Sequence, residues 1–260
     1  MIARMNREQD IDQPDNHPKR ERVNYYTARE EEDPFPDPSL IDPLDSDQAE
    51  DITKGIEEAI KKAVENGLPA EHHDAMKKVV YDHVDIFRTT FSSGPPAKFP
   101  PLKIELTADA KPVKVRLRKY SQPQHAFMQK LVKKLISCGM AYYNPTSPWA
   151  CAPLIVPKPG SVEFRFTVDL RPLNKYIVKH QFPMPNLEVS LTIVSRSKFF
   201  AKVDFVHSYW QMLLEKLSQE SQSFLSEDGI VTPTRVPHGT TNAVTHLQSS
   251  ITTTLPEELK

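Results

Sequence analysis

The sequence predicts an α+β fold in which short strands and amphipathic helices are joined by long loops. Apolar residues recur at helical spacing at Ile52, Ile56 and Ile60, which indicates a helix. Apolar and charged residues alternate over 102–106, which indicates a half-buried strand. The 260 residues include 24 prolines and 7 glycines, a composition that suits a loop-rich α+β protein better than a doubly wound sheet.

The first part of the chain, 1–46, is predicted to be a disordered leader. It is polar and proline-rich, and the stretch 30–51 holds ten acidic residues without a Lys or Arg. Such a segment cannot bury enough apolar area to offset the entropy of ordering it. No signal peptide and no apolar run of about 18 residues occur, so we expect an intracellular protein without a membrane span.

A helical hairpin is predicted over 47–91. Apolar residues recur at every fourth position from Ile52 to Val64, and Gly67 follows where helix C-termini favour glycine. A second helix is expected near 70–87 because Met76, Val79, Val80 and Val84 could form its apolar side. The short connection between the two helices favours an antiparallel pair.

The stretch 92–180 is predicted to form a second unit with strands at 102–106 and 113–117. A helix should begin after Ser121, and a β-hairpin with its tip at 158–161 should follow. One side of the helix carries an apolar stripe made of Phe127, Leu131 and Leu135.

The last stretch, 181–260, is predicted to contain a short helix at 186–194 and an apolar strand at 199–204 that ends on an aspartate. A hairpin over 224–232 should turn at an Asp-Gly pair. A helix is expected over 238–251, entered at a glycine.

Charge is distributed unevenly along the chain, although the net charge is only −1. The stretch 98–180 holds fifteen Lys or Arg and four acidic residues, a local net charge of +11. Such a stretch can follow a phosphate backbone. The alternative is an ordinary solvated surface, because Lys and Arg are mostly exposed in any protein.

Three sequence blocks follow one another in the second half of the chain. They are 164–175 (FRFTVDLRPLNK), 201–211 (AKVDFVHSYWQ) and 235–239 (RVPHG), and a Ser-Pro-Trp turn at 147–149 precedes them. In this order they resemble the fingers and early palm of a reverse transcriptase, most closely that of gypsy-like LTR retrotransposons. The resemblance implies an RNA-directed DNA polymerase that adds deoxynucleotides to the 3′ end of a primer on an RNA or DNA template.

The resemblance also implies a metal centre. Nucleotidyl transfer uses two Mg²⁺ ions about 3.5–4 Å apart, and Mg²⁺ prefers hard oxygen ligands. Asp204 matches the first catalytic, metal-binding aspartate of the family. The backbone carbonyl of Phe205 matches a further metal ligand at the edge of the nucleotide site.

Five further residues match nucleotide-binding positions of the family. Arg165 matches a fingers arginine that binds the triphosphate, a role suited to its planar guanidinium, and Lys158 lies near the tip where the family carries a phosphate-binding lysine. Tyr209 matches the aromatic residue beneath the sugar, which favours deoxynucleotides. Gly239 allows close backbone approach, and His238 occupies a stacking or hydrogen-bonding position beside it.

Two departures from the family pattern shape the functional hypothesis. The residues 206–208 (VHS) stand where the family usually has a glycine directly before the aromatic residue, and no aromatic-x-Asp-Asp motif occurs in the 260 residues. We therefore expect a polymerase fragment that is inactive alone, with 181–260 loosely packed. The alternatives are a non-catalytic nucleic-acid-binding remnant and a protein-interaction module built on 1–90.

Overall fold

The computed structural model describes residues 46–88, 94–116, 118–160, 163–195, 197–198 and 200–255. The leader predicted at 1–46 lies outside this part of the chain except for Ser46, which opens the first helix. The helices are α1 (Ser46–Glu65), α2 (His73–Asp82), α3 (Gln122–Ser137), α4 (Arg171–Asn174), α5 (Leu187–Val194), α6 (Lys216–Gln219) and α7 (Ala243–Thr254). The strands are β1 (Ala141–Tyr143), β2 (Ala152–Pro157), β3 (Phe164–Asp169), β4 (Phe224–Ser226) and β5 (Gly229–Pro233).

The two helices predicted near the start of the described chain are confirmed. α1 and α2 are joined by a turn at Gly67, whose φ of 94° favours glycine, and by a short 3-10 turn at Ala70–His72. The apolar side of α1 is buried in a small core of its own, which contains Ile52, Ile56 and Ile60 together with Met76, Val80, Val84 and Phe87.

Two small antiparallel sheets organise the rest of the chain. The predicted hairpin pairs β2 with β3, with Ile155 opposite Phe166. The second sheet has the order β1-β5-β4, and its β4–β5 turn contains Glu227 and Asp228, one residue earlier than the Asp-Gly pair predicted. β1 was not predicted from the sequence, because three residues carry too little pattern.

The strand predicted at 102–106 is wrong, and so is that at 113–117 within its described residues 113–116, although the first segment is buried as expected at Leu102 and Ile104. The Leu102 N–H donates to the carbonyl of Leu213 at 2.8 Å, whereas the Ile104 N–H donates to the Ser218 side chain at 2.8 Å. Different loops therefore satisfy these backbone groups one at a time, so no ladder forms. The second segment makes a single bridge, between Lys114 and Ala150.

Helix α3 begins as predicted. The Ser121 backbone N–H donates to the side-chain oxygen of Gln124 at 2.9 Å, one half of a capping box. Met128, Val132 and Leu135 face the main core, and the predicted stripe residues Phe127 and Leu131 pack partly buried beside them.

The strand predicted at 199–204 is wrong within the described residues 200–204, which have no regular secondary structure. A strand requires a neighbour to accept and donate its backbone hydrogen bonds, and no described strand lies beside this segment. Its apolar side chains face outward, with Phe200 66% and Val203 75% exposed.

The prediction that 181–260 is loosely packed is wrong for the larger part of that stretch. Trp210, Met212, Phe224 and Val236 are buried in the same core as α3 and β2. α7 begins at Ala243 rather than near 238, because the preceding loop is bound to other elements.

Candidate nucleotide and nucleic-acid site

The loop of the third sequence block is bound to strand β3. The carbonyl of His238 accepts a hydrogen bond from the Thr167 hydroxyl at 3.1 Å and a long one from the Val168 N–H at 3.5 Å. Gly239 follows with φ 109°, and a Cβ atom there would lie 2.8 Å from the Val168 carbonyl oxygen. Only glycine fits this close approach of two backbones.

Asn174 fixes the same loop from the other side, a role that sequence reasoning missed. Its side-chain amide donates to the Gly239 carbonyl at 2.8 Å and its oxygen accepts from the Thr241 N–H at 3.3 Å. The sequence signal that could have indicated this role was an amide side chain inside the first block. The first and third blocks therefore form one structural unit.

Three aromatic rings meet at this loop. The ring centroids of Tyr209 and His238 are 5.0 Å apart and those of His207 and His238 are 6.5 Å apart, both with edges directed at faces. Burial lowers the pKa of His238, and His207 lowers it further. The Nδ1 atom of His238 is buried and has no hydrogen-bond partner among the described residues.

Positive charge lies close to these rings. The pKa of His207 is lowered mainly by burial and then by the charges of Lys158 and Lys134. Lys158 forms an ion pair with Glu163 across the β2–β3 turn, and its N–H donates to the Glu163 carbonyl at 2.8 Å. Lys158 is thus close enough to His207 for its charge to lower the pKa of that imidazole.

Arg165 lies on β3, opposite Val156, with its side chain exposed. Residues two apart on a strand share a face, so Arg165 shares that of Thr167, which contacts the His238 loop. Arg165 therefore projects from the same face of the β2–β3 hairpin as Thr167.

Asp204 and Phe205 lie in a different setting from the rings. Both are exposed and line a cavity of about 530 Å³, together with Arg88, Lys202 and Arg235. Arg235 is buried, and its guanidinium donates to the carbonyls of Trp210, Gln211 and Gly94. His207 lines the cavity too and so connects it with the ring cluster.

The described residues do not fit a two-metal centre. Asp204 supplies one carboxylate and Phe205 one carbonyl, whereas Mg²⁺ requires near-octahedral oxygen ligands. Within the described chain, no group of three or more His, Cys, Asp or Glu is placed to hold a metal ion.

A carboxylate that sequence reasoning did not single out lies at the end of β3. Asp169 accepts two hydrogen bonds from Arg171, both at 2.7 Å, and one from Arg118 at 2.6 Å. These hydrogen bonds and charges lower the pKa of Asp169 to about 2. The sequence signal was the Asp-x-Arg spacing in the first block.

The basic stretch is exposed where it crosses the surface before α3. The side chains of this segment that face solvent are Lys111, Lys114, Arg116, Arg118 and Lys119. Lys130 and Lys133 on α3 are exposed as well. A phosphate backbone could contact these groups without any rearrangement of the core. None of the helices described in the structure has the length and apolar character needed to cross a bilayer.

The described fold is similar to part of the reverse transcriptase fold. A structure of the foamy viral protease–reverse transcriptase in complex with dsDNA superposes with a TM-score of 0.63 at 20% identity, over 80% of this chain and 40% of that chain. At this identity the comparison establishes the fold alone.

The sequence relatives are retrotransposon polyproteins. The chain is 31% identical over 133 residues to the retrovirus-related Pol polyprotein from transposon 412 of Drosophila melanogaster, covering 49% of this chain and 10% of that protein. It is 28% identical over 159 residues to the Pol polyprotein from transposon gypsy of the same organism, covering 59% and 15%. No family model matches the chain. The chain is thus related to retrotransposon Pol polyproteins, and it spans only a small part of their length.

Proposed function

We propose that this chain binds the template–primer and the incoming deoxynucleotide in an RNA-directed DNA polymerase of gypsy-like retrotransposon origin. The polymerase reaction is template-directed addition of deoxynucleotides to a primer 3′ end. The observation that carries the proposal is the joining of β3 to the loop at His238 and Gly239, beside Tyr209. In that arrangement Thr167 and Asn174 of the first block and Tyr209 of the second lie against the loop of the third block, which supports the proposal.

Each part of the site has a chemical role in this proposal. Arg165 and Lys158 neutralise the triphosphate, because guanidinium and ammonium groups pair with phosphate oxygens. Tyr209 lies beneath the sugar, where its ring excludes a 2′-hydroxyl. Gly239 lets the backbone approach the nucleotide closely, and His238 contacts it from the side.

The residues of this site do not supply enough ligands for the metal-dependent step. Asp204 and the Phe205 carbonyl would be ligands of Mg²⁺, which stabilises the attacking and leaving oxygens in polymerases. One carboxylate does not hold two ions, so we propose that the 260-residue chain binds substrates without joining them.

Nucleic-acid binding can be tested by fluorescence anisotropy with a labelled RNA–DNA template–primer at two salt concentrations. We expect affinity that falls steeply with salt, because bound cations are released from the duplex. The double variant Lys114→Ala/Arg116→Ala should weaken binding and reduce the log–log salt slope by about 1–2.

The matched control is Lys61→Ala/Lys62→Ala on α1, which removes the same charge from a helix distant in sequence from the basic stretch. Equal losses in both double variants would indicate nonspecific charge attraction. Binding that is absent at low salt would favour the alternative of a protein-interaction module.

A further inference from the structure

His207 has an unusual backbone conformation beside the nucleotide site. Its φ of 49° and ψ of 48° are left-handed, and it is the one non-glycine residue with positive φ in the described chain. Histidine is among the residue types that tolerate this region. The His207 carbonyl accepts from the Trp210 N–H at 2.8 Å, which starts the 3-10 turn Ser208–Gln211.

This turn directs two side chains at the same target. The rings of Tyr209 and His207 both form T-shaped pairs with that of His238, at 5.0 and 6.5 Å between centroids and interplanar angles of 71° and 87°. The turn is further held by the Gln211 side chain, which donates to the Val206 carbonyl at 2.8 Å. The His238 ring therefore packs against two rings, one from the turn Ser208–Gln211 and one from the residue that caps it.

We propose that His207 is a positioning residue for sugar selection, whose imidazole holds His238 and, through it, Tyr209 in the orientation that contacts the nucleotide. The inference rests on the proposed function, because it concerns the same site. His207 lies within 206–208, the stretch where this chain departs from the family pattern. The ligand class is a nucleoside triphosphate, and the property controlled is the preference for a deoxyribose.

Two substitutions of His207 and one control distinguish the effect of its ring from the effect of the backbone turn. His207→Asn retains a residue that tolerates left-handed backbone but removes the ring. His207→Phe restores an aromatic edge without the imidazole nitrogens. The matched control is His246→Asn on α7, whose imidazole contacts the Pro100 carbonyl at 2.8 Å, outside the ring cluster.

The first measurement is binding of dUTP and UTP, which differ only at the 2′ position, followed by intrinsic fluorescence. We expect the unmodified chain to prefer dUTP and His207→Asn to reduce that preference by about threefold to tenfold. His207→Phe should restore most of it, and His246→Asn should leave it unchanged. A preference that survives His207→Asn overturns the inference, as does a loss of equal size in His246→Asn.

The second measurement needs no nucleotide. Proton NMR of the free chain should show contacts between the rings of Tyr209 and His238, and His207→Asn should remove them. If they are lost but neither triphosphate binds the unmodified chain, the positioning role is supported and the proposed function is overturned. Contacts that persist in His207→Asn overturn the positioning role itself.

Discussion

Gly239 shows how a single residue joins two sequence blocks. Its Cβ position lies 2.8 Å from the Val168 carbonyl oxygen and its φ is 109°. Both constraints come from the contact between β3 and the His238 loop. A side chain at this position would therefore push the His238–Gly239 loop away from β3.

We predict that Gly239→Ala destabilises the chain by about 2–4 kcal/mol, because backbone strain and a clash add together. The matched control is Gly160→Ala, at φ 70° with nothing within 4 Å of its Cβ position, which should lose only about 1 kcal/mol. Urea unfolding measures both free energies of unfolding. If both variants lose the same free energy of unfolding, the close approach of Gly239 to Val168 does not contribute to the cost of a side chain at 239.

Asp169 links stability to pH at the residue scale. Hydrogen bonds from Arg171 hold its folded pKa at about 2, below the ordinary value of 3.8. Because the folded pKa is the lower one, the carboxylate stabilises the fold fully above the unfolded pKa. That contribution is lost as the pH falls from about 3.8 towards 2.

We predict that Asp169→Asn lowers the free energy of unfolding at neutral pH by about 1–2 kcal/mol, a value reduced by the solvent exposure of Arg171. The difference from the unmodified chain should shrink below the unfolded pKa. Glu163→Gln, at the exposed hairpin tip, is the control and should change little. A difference that is constant with pH would contradict the account.

At the scale of elements, local pattern predicts structure where the partner is close in sequence. The hairpin of β2 and β3 was predicted because the turn at 147–149 resembles the family's turn before the first fingers strand, and only a short tip separates the two strands. The segment 102–106 was predicted as a strand because its alternation is real, but its partners are loop groups at Leu213 and Ser218. Their positions depend on tertiary packing, which alternation does not encode.

The candidate site, too, has features that the sequence predicts and features that depend on tertiary packing. Gly239 and Tyr209 were identified because family-matched residues surround them. The convergence of His207, Tyr209 and His238 was not predicted, because the first two lie in a turn far in sequence from the third. The ion network of Asp169 with Arg118 was missed for the same reason: its partner comes from a segment before α3.

Hydrogen exchange of the segment 200–206 tests whether the strand predicted at 199–204 is absent. None of its backbone groups takes part in a ladder with a described strand, so its amides should exchange with solvent close to the unprotected rate. Amides within β2, β3 and the centre of α3 should exchange far more slowly. Hydrogen exchange with mass spectrometry measures both, and strong protection at 200–206 would show that a strand pairing exists.

At the scale of the molecule, a large apolar surface is exposed around α5 and the segment after it. Leu187 is 71%, Ile193 66% and Val203 75% exposed, and no α5 residue is buried. Exposed apolar side chains in this number favour association. The segment 200–204 also has no described strand to pair its backbone groups.

We predict that the chain self-associates with rising concentration and that Leu191→Glu/Val203→Glu reduces this association. Val79→Glu on α2, where the native valine is 60% exposed, is the control and should have little effect. Sedimentation velocity over a range of concentrations measures the change. A chain that stays monomeric throughout would contradict this prediction.

The central claim is that the chain binds polymerase substrates but does not join them. The most direct measurement is an assay of the purified chain on a labelled primed template with deoxynucleotides and Mg²⁺ or Mn²⁺, following duplex binding and primer length in the same samples. We predict salt-sensitive binding and no extension, because Asp204 is the single family-matched catalytic carboxylate in the sequence. Primer extension that is abolished by Asp204→Ala would contradict the claim, and so would an absence of binding at low salt.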